Sequence, residues 1–369
     1  MVKEFSLYIH VPFCLRKCPY CQFYSIAHRQ EFSIRFVNGI IQEKGHYLDI
    51  ISNLQFSSFY FGGGTPLLLG AQNIRKLINE FPIQDAAEIT CEANPETISK
   101  AVLTDLLETG VNRLSIGVQS LQPSELLQLG RNHSQERAIS AVMEAEKAGF
   151  SNISIDLMYE IPGQTLLSWE KTLLQAVKLP ITHISLYSLT IEPGTPFAKN
   201  EAELKQKICS PEEGAKMYQM AQQILQESGF CQYEISAFAK NGLQSRHNVG
   251  YWTARPFLGL GPSAYSYING KRWRNVANLF SYLQALDEGR SPIDFSEELP
   301  LNLQKRERIC INLRLLEGVD LASYMPLEDE VEKSITHLLE LELLSKNGGK
   351  LSLTAKGILY YDEVASTIV

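Results

Sequence analysis

Three cysteines, Cys14, Cys18 and Cys21, fall inside the short stretch YIHVPFCLRKCPYCQFYS, residues 8–25. Thiolates bind soft metals, and gaps of three and two residues let one loop wrap a single metal centre. A structural zinc ion takes four protein ligands. His10 is close in sequence, but it alternates with Tyr8 along a strand-like run and does not lie in the loop. Three thiolates on a four-iron cluster leave one iron open to an exchangeable ligand. The spacing points to that chemistry, with zinc as the alternative.

Something must hold that loop, and the first ~200 residues supply it by repeating one theme. Strand-like runs lie at 5–13, 57–66, 87–94, 112–120, 152–162 and 183–193. Between them are helical patterns such as 32–54 and 134–150, the latter with Ser134 as N-cap and Gly149 near its end. Such alternation predicts βαβ units and a parallel sheet, and six units predict a partial (β/α)6 barrel. The polar and glycine-rich residues gather at the C-terminal ends of the strands, where α/β proteins open their sites. Gly62, Gly63, Gly64 and Thr65 follow one strand, and glycines there let backbone amides approach a carboxylate or an amine. Cys91 alternates with Glu92, so it is expected to point away from the site; His183 reads as structural.

The barrel is expected over 1–230 and a barrel-completing, aromatic and loop-rich segment over 231–300. Residues 301–369 read as a smaller α+β, winged-helix-like domain with a hairpin signal at Asn347-Gly348. Residues 303–369 hold eight Lys and Arg against eleven Asp and Glu, which argues against a nucleic-acid-binding wing. The whole chain is acidic, with net charge −7 and pI near 5.6, and gives no electrostatic reason to expect nucleic acid. No apolar run approaches the ~18 residues of a membrane span, and the start does not read as a secretory signal. Seven cysteines with one tight cluster do not make a disulfide framework, so a reducing cytoplasm is expected.

Cys14, Cys18 and Cys21 resemble the cluster loop of radical S-adenosylmethionine (SAM) proteins. The resemblance implies a [4Fe-4S] cluster whose open iron is chelated by SAM, and the partial barrel already read from the repeats. Motif by motif it places SAM against Tyr8, Tyr20, Gly63, Gly64, Thr65, Glu92, Gln119, Arg131 and Asp156. Arg131 is then expected to take the SAM carboxylate bidentately, and Glu92 and Asp156 to take ammonium or ribose hydroxyls. GGGTP, EANPET, GVQSLQPSELLQLGRNH, DLMYEIPGQT, HISLYSLTIEPGTPF and RHNVGYW, in that order, are similar to the oxygen-independent coproporphyrinogen III oxidase-like family and its HemW-type heme chaperone branch. The oxidases carry a further cysteine where this chain has Phe23, and an extension before the barrel; both departures point to the chaperone branch. The resemblance implies heme as cargo, held through His247, Asn248 and Tyr251, and an acceptor apo-hemoprotein, free or at a membrane. Oxidative decarboxylation of coproporphyrinogen III is the alternative, and a radical-SAM RNA methyltransferase is disfavoured by the acidic tail.

Overall fold

The computed structural model describes residues 4–52 and 54–369. Six strands and six helices alternate: β1 (Glu4–Val11), α1 (Gln30–Gly45), β2 (Gln55–Gly63), α2 (Ala71–Asn79), β3 (Ile83–Ala93), α3 (Lys100–Leu107), β4 (Arg113–Gln119), α4 (Gln135–Ala148), β5 (Ile153–Tyr159), α5 (Leu166–Ala176), β6 (His183–Ser188) and α6 (Pro211–Glu227). The strands are parallel and lie side by side in chain order. Both faces of such a sheet are covered, so its strands are buried almost throughout; in β4 only Gln119, at the end facing the site, is partly exposed. The helix expected over 134–150 starts and stops where its caps indicate, whereas the one expected over 32–54 ends at Gly45 and is followed by a separate short helix, Leu48–Ile51. Ser134 accepts from the Arg137 N–H at the start of α4, and Gly149 closes it with φ +111°.

The sheet stays open. Residues 231–300, expected as one completing segment, are divided between its two edges. Ala237–Ala239 and then Cys231–Glu234 extend it beyond β6 in antiparallel fashion. Phe257–Leu260 runs parallel to β1, followed by the antiparallel strands Tyr265–Ile268, Lys271–Asn275 and Ile293–Glu298. Between those two groups, the short helix α7 (Arg246–Trp252) sits against β2 and β3: the Glu88 carboxylate accepts the N–H groups of Arg246 and His247, both at 3.0 Å.

The C-terminal part has its own apolar core, built from Ile309, Leu313, Val331, Ile335, Leu338, Leu344, Leu351 and Val364 among others. Helices pack on a small antiparallel sheet of Val319–Asp320, Lys350–Leu353 and Leu344–Asn347. The hairpin turn lies one residue later than the Asn347-Gly348 signal suggests. Its two central residues are Gly348 and Gly349, at φ +57° and +87°, which only glycine adopts freely in succession.

Candidate metal and cofactor site

The cysteine loop leaves β1 at its C-terminal end. A two-rung parallel ladder, Phe13–Cys14 against Ile26–Ala27, closes its base. Its far side is pinned by the Phe197 N–H on Pro19 O at 3.1 Å, and Tyr20 packs against the Phe197 ring. All three cysteines are free and half-buried, and all three line one open cavity of about 360 Å³. Among the described residues no three His, Cys, Asp or Glu side chains are disposed to hold a single metal ion. Three thiols on one loop suit a polynuclear cluster, in which each thiolate binds its own iron, whereas a structural zinc ion takes four protein ligands. Burial raises the thiols of Cys14 and Cys21 above their ordinary value, so the charge of a metal centre is what would hold them as thiolates.

The same cavity brings together Tyr20, Gly63, Gly64, Glu92, Gln119, Arg131 and Asp156 from the strand ends. Glu92 is fixed by the Tyr60 hydroxyl at 2.8 Å and the Gly63 N–H at 3.1 Å. Burial pushes its carboxyl up to about 7, and Asp156, held by Ser115 at 3.3 Å, up to about 6. Burial makes the charge on both carboxylates costly, and a cation entering the same cavity would offset that cost. Opposite in charge, Arg131 leaves its Nε–H buried without a partner. Cationic and anionic ends of one amino-acid-like ligand, such as the methionyl part of SAM, fit that pair.

The structure corrects several expectations. The glycine amides do not wait for a ligand: Gly63 donates to Glu92, Gly64 to Val11 O at 2.8 Å and Thr65 to Phe13 O at 2.7 Å. What the glycines provide is closeness, since a Cβ at Gly64 would lie 2.5 Å from Phe13 O. Arg131 has no free two-pronged fork, because Nη2 already donates to Asn94 Oδ1 at 2.6 Å and Gly117 O at 2.7 Å. Thr65 and Tyr8 do not line the cavity. Thr65 is buried behind Cys14, bonded by Asn94 at 2.8 Å, and Tyr8 reaches His10 Nδ1 at 3.1 Å inside the barrel.

His247, Asn248 and Tyr251 lie apart from this cavity. His247 is buried with both ring nitrogens engaged, Nδ1 with Ser58 Oγ at 3.0 Å and Nε2 with Tyr251 Oη at 2.9 Å. Burial lowers its pKa to about 3, so the ring is neutral. A free axial imidazole is therefore not what the segment presents; iron at His247 requires one of those bonds to open. Asn248, half-buried, donates its backbone N–H to Ser245 Oγ at 3.3 Å. The outward faces of Tyr251 and Trp252 border a separate cleft of about 230 Å³ with Phe257, Tyr267, Arg272 and Arg308.

Asn94, Ser115, Gly117 and Tyr187 line the cofactor cavity and were missed by motif reading. A period-two signal points to three of them. Ser115 and Gly117 share the face of Gln119 on β4, and Asn94 follows Glu92 by two residues.

The sequence matches the Radical SAM superfamily model over residues 8–176 and the HemN C-terminal domain model over 292–360. It is 34% identical over 364 residues to the heme chaperone HemW of Bacillus subtilis, covering 94% of this chain and 96% of that protein. It is 32% identical over 376 residues to the heme chaperone HemW of Mycobacterium tuberculosis, covering 100% and 95%. Among solved structures it is similar to coproporphyrinogen III oxidase (HemN) from Escherichia coli, a radical SAM enzyme, with TM-score 0.86 and 25% identity over 100% of this chain and 90% of that one.

Proposed function

The chain belongs to the heme chaperone HemW family of radical SAM proteins, and on that premise we propose that it binds heme and hands it to an acceptor apo-hemoprotein. The observation that carries this reading is similarity from end to end to relatives named heme chaperones, C-terminal domain included. Phe23 supports it: at the position where oxidases carry a further cysteine, this chain has an exposed phenylalanine on the cavity wall.

In this reading Cys14, Cys18 and Cys21 hold a [4Fe-4S] cluster. Glu92 and Asp156 take the SAM ammonium, and Arg131 its carboxylate through the unpartnered Nε–H. A cluster with SAM bound supplies one-electron chemistry. Heme is proposed to dock on the segment carrying His247, Asn248 and Tyr251, through the Tyr251–Trp252 side. The adjoining aromatic cleft offers flat apolar walls, and Arg308, whose guanidinium is bonded to Tyr267 Oη at 3.3 Å, offers a cation to a propionate. No helix among the described residues is long and apolar enough to cross a membrane.

Coproporphyrinogen III oxidation is the second reading, favoured by the likeness of the whole fold to an oxidase of that type. Anaerobic incubation of the reconstituted protein with coproporphyrinogen III, SAM and a reductant, and separately with heme and an apo-hemoprotein, separates the two. The chaperone reading expects no decarboxylation in the first and heme transfer in the second.

A further inference from the structure

We propose that Arg131 positions Cys18 and tunes the cluster through a charged Nη1–H···Sγ hydrogen bond, separately from its contact with SAM. This rests on reading Cys14, Cys18 and Cys21 as the cluster ligands. Arg131 and the cysteine loop are locked together. Gly130, at φ +64°, lets the chain turn so tightly against the loop that a Cβ there would lie 2.7 Å from Pro19 Cδ. The guanidinium cannot swing away, because Nη2 is bonded to Asn94 Oδ1 at 2.6 Å and to Gly117 O at 2.7 Å. With that edge fixed, Nη1 lies 3.4 Å from Cys18 Sγ.

The three thiols are not equivalent. Cys14 faces a neutral donor, the Thr65 hydroxyl at 3.8 Å, whereas Cys18 faces a full positive charge. Hydrogen bonds to cluster sulfurs, and charge near them, set reduction potentials. A cationic donor stabilises the reduced, more negative cluster more than the oxidised one, so Arg131 raises the midpoint potential. The Nε–H, buried and without a partner, is assigned to the SAM carboxylate under the proposed function, as one contact and not a fork. Cluster tuning and SAM binding thus use different nitrogens of one side chain, and experiments can move them independently.

The test is a redox titration of the reconstituted, SAM-free protein followed by electron paramagnetic resonance. Arg131→Met is expected to load its cluster with a midpoint clearly more negative than wild type. Asn94→Ala, which removes one of the two anchors of Nη2 and leaves its bond to Gly117 O, is expected to shift it the same way by less. An unchanged midpoint in Arg131→Met, with weakened SAM binding by calorimetry, overturns the proposal and leaves Arg131 serving SAM alone. Should Arg131→Met fail to load iron, an unchanged midpoint in Asn94→Ala overturns it. Failure of the underlying cluster reading looks different, since wild type would then bind no cluster at all.

Discussion

Tyr60 donates its phenolic hydrogen to Glu92 Oε1 at 2.8 Å, on the wall of the cofactor cavity. Tyr60 itself packs against His247 with the rings tilted and their centroids 4.8 Å apart, so the group that aims Glu92 is held from behind by the barrel's inner layer. Removing the hydroxyl leaves Glu92 with the Gly63 N–H alone. A hydrogen bond to a charged group contributes ~1.5–3 kcal/mol, so Tyr60→Phe should weaken SAM binding by up to ~10–150-fold. Calorimetry showing wild-type affinity would detach Tyr60 from the site.

SAM affinity should rise with pH. The carboxyls of Glu92 and Asp156 titrate near about 7 and about 6, with burial as the main cause in both. Tyr60, Asp156 and Arg113 act on Glu92, Arg113 and Arg131 act on Asp156, and Tyr187 faces both. Below those values the acids are neutral and offer a cation little; above them both are charged. The stability sign is opposite. A raised folded-state pKa means the neutral form is favoured in the native state, so that contribution is complete below the unfolded values of 4.5 and 3.8 and is lost as pH rises through about 6 and about 7. SAM should therefore raise the melting temperature more in mildly alkaline than in mildly acidic buffer, and Glu92→Gln should flatten the upper part of that dependence. A thermal shift independent of pH in wild type contradicts it.

The cluster should need each loop thiol and no other. Cys18→Ser is expected to lose the visible iron–sulfur absorption. Cys91→Ser and Cys310→Ser, both buried in apolar cores far from the loop in role, should keep their iron. Full iron content in Cys18→Ser, or loss in Cys91→Ser, would reassign the ligands.

His247→Ala should destabilise the apo-protein. The ring bonds both Ser58 and Tyr251 inside the barrel; deleting it leaves Ser58 with its bond to Ser6 and the Tyr251 hydroxyl to find a partner, at about 1–3 kcal/mol for an unsatisfied group. Denaturant unfolding without heme reads this directly. Unchanged apo stability together with a lost Soret band would return His247 to the role of axial ligand.

Strand–helix alternation was legible because it follows from burial. β4 and β5 are buried on both faces, and Ser134 and Gly149 mark helix ends through local chemistry that needs no tertiary context. Cys91 and Glu92 parted as their alternation requires, one into the core and one into the cavity. What was not legible is how polar atoms are shared out. That Arg131 turns one edge to Asn94 and Gly117, that the glycine amides face Val11 and Glu92, and that His247 is closed between Ser58 and Tyr251 all depend on long-range juxtaposition. Motifs name residues, but the third dimension decides which of their atoms remain free.

The central claim is that this fold carries heme and does not make its precursor. One anaerobic incubation tests it: reconstituted protein with heme, coproporphyrinogen III, SAM and dithionite, followed by gel filtration and tetrapyrrole analysis of the protein and small-molecule fractions. The account predicts about one heme per chain eluting with the protein, held at the aromatic cleft beside the His247–Trp252 segment, and unaltered coproporphyrinogen III in the small-molecule fraction. Protoporphyrinogen in quantities exceeding the protein, with no heme retained by the chain, would contradict it.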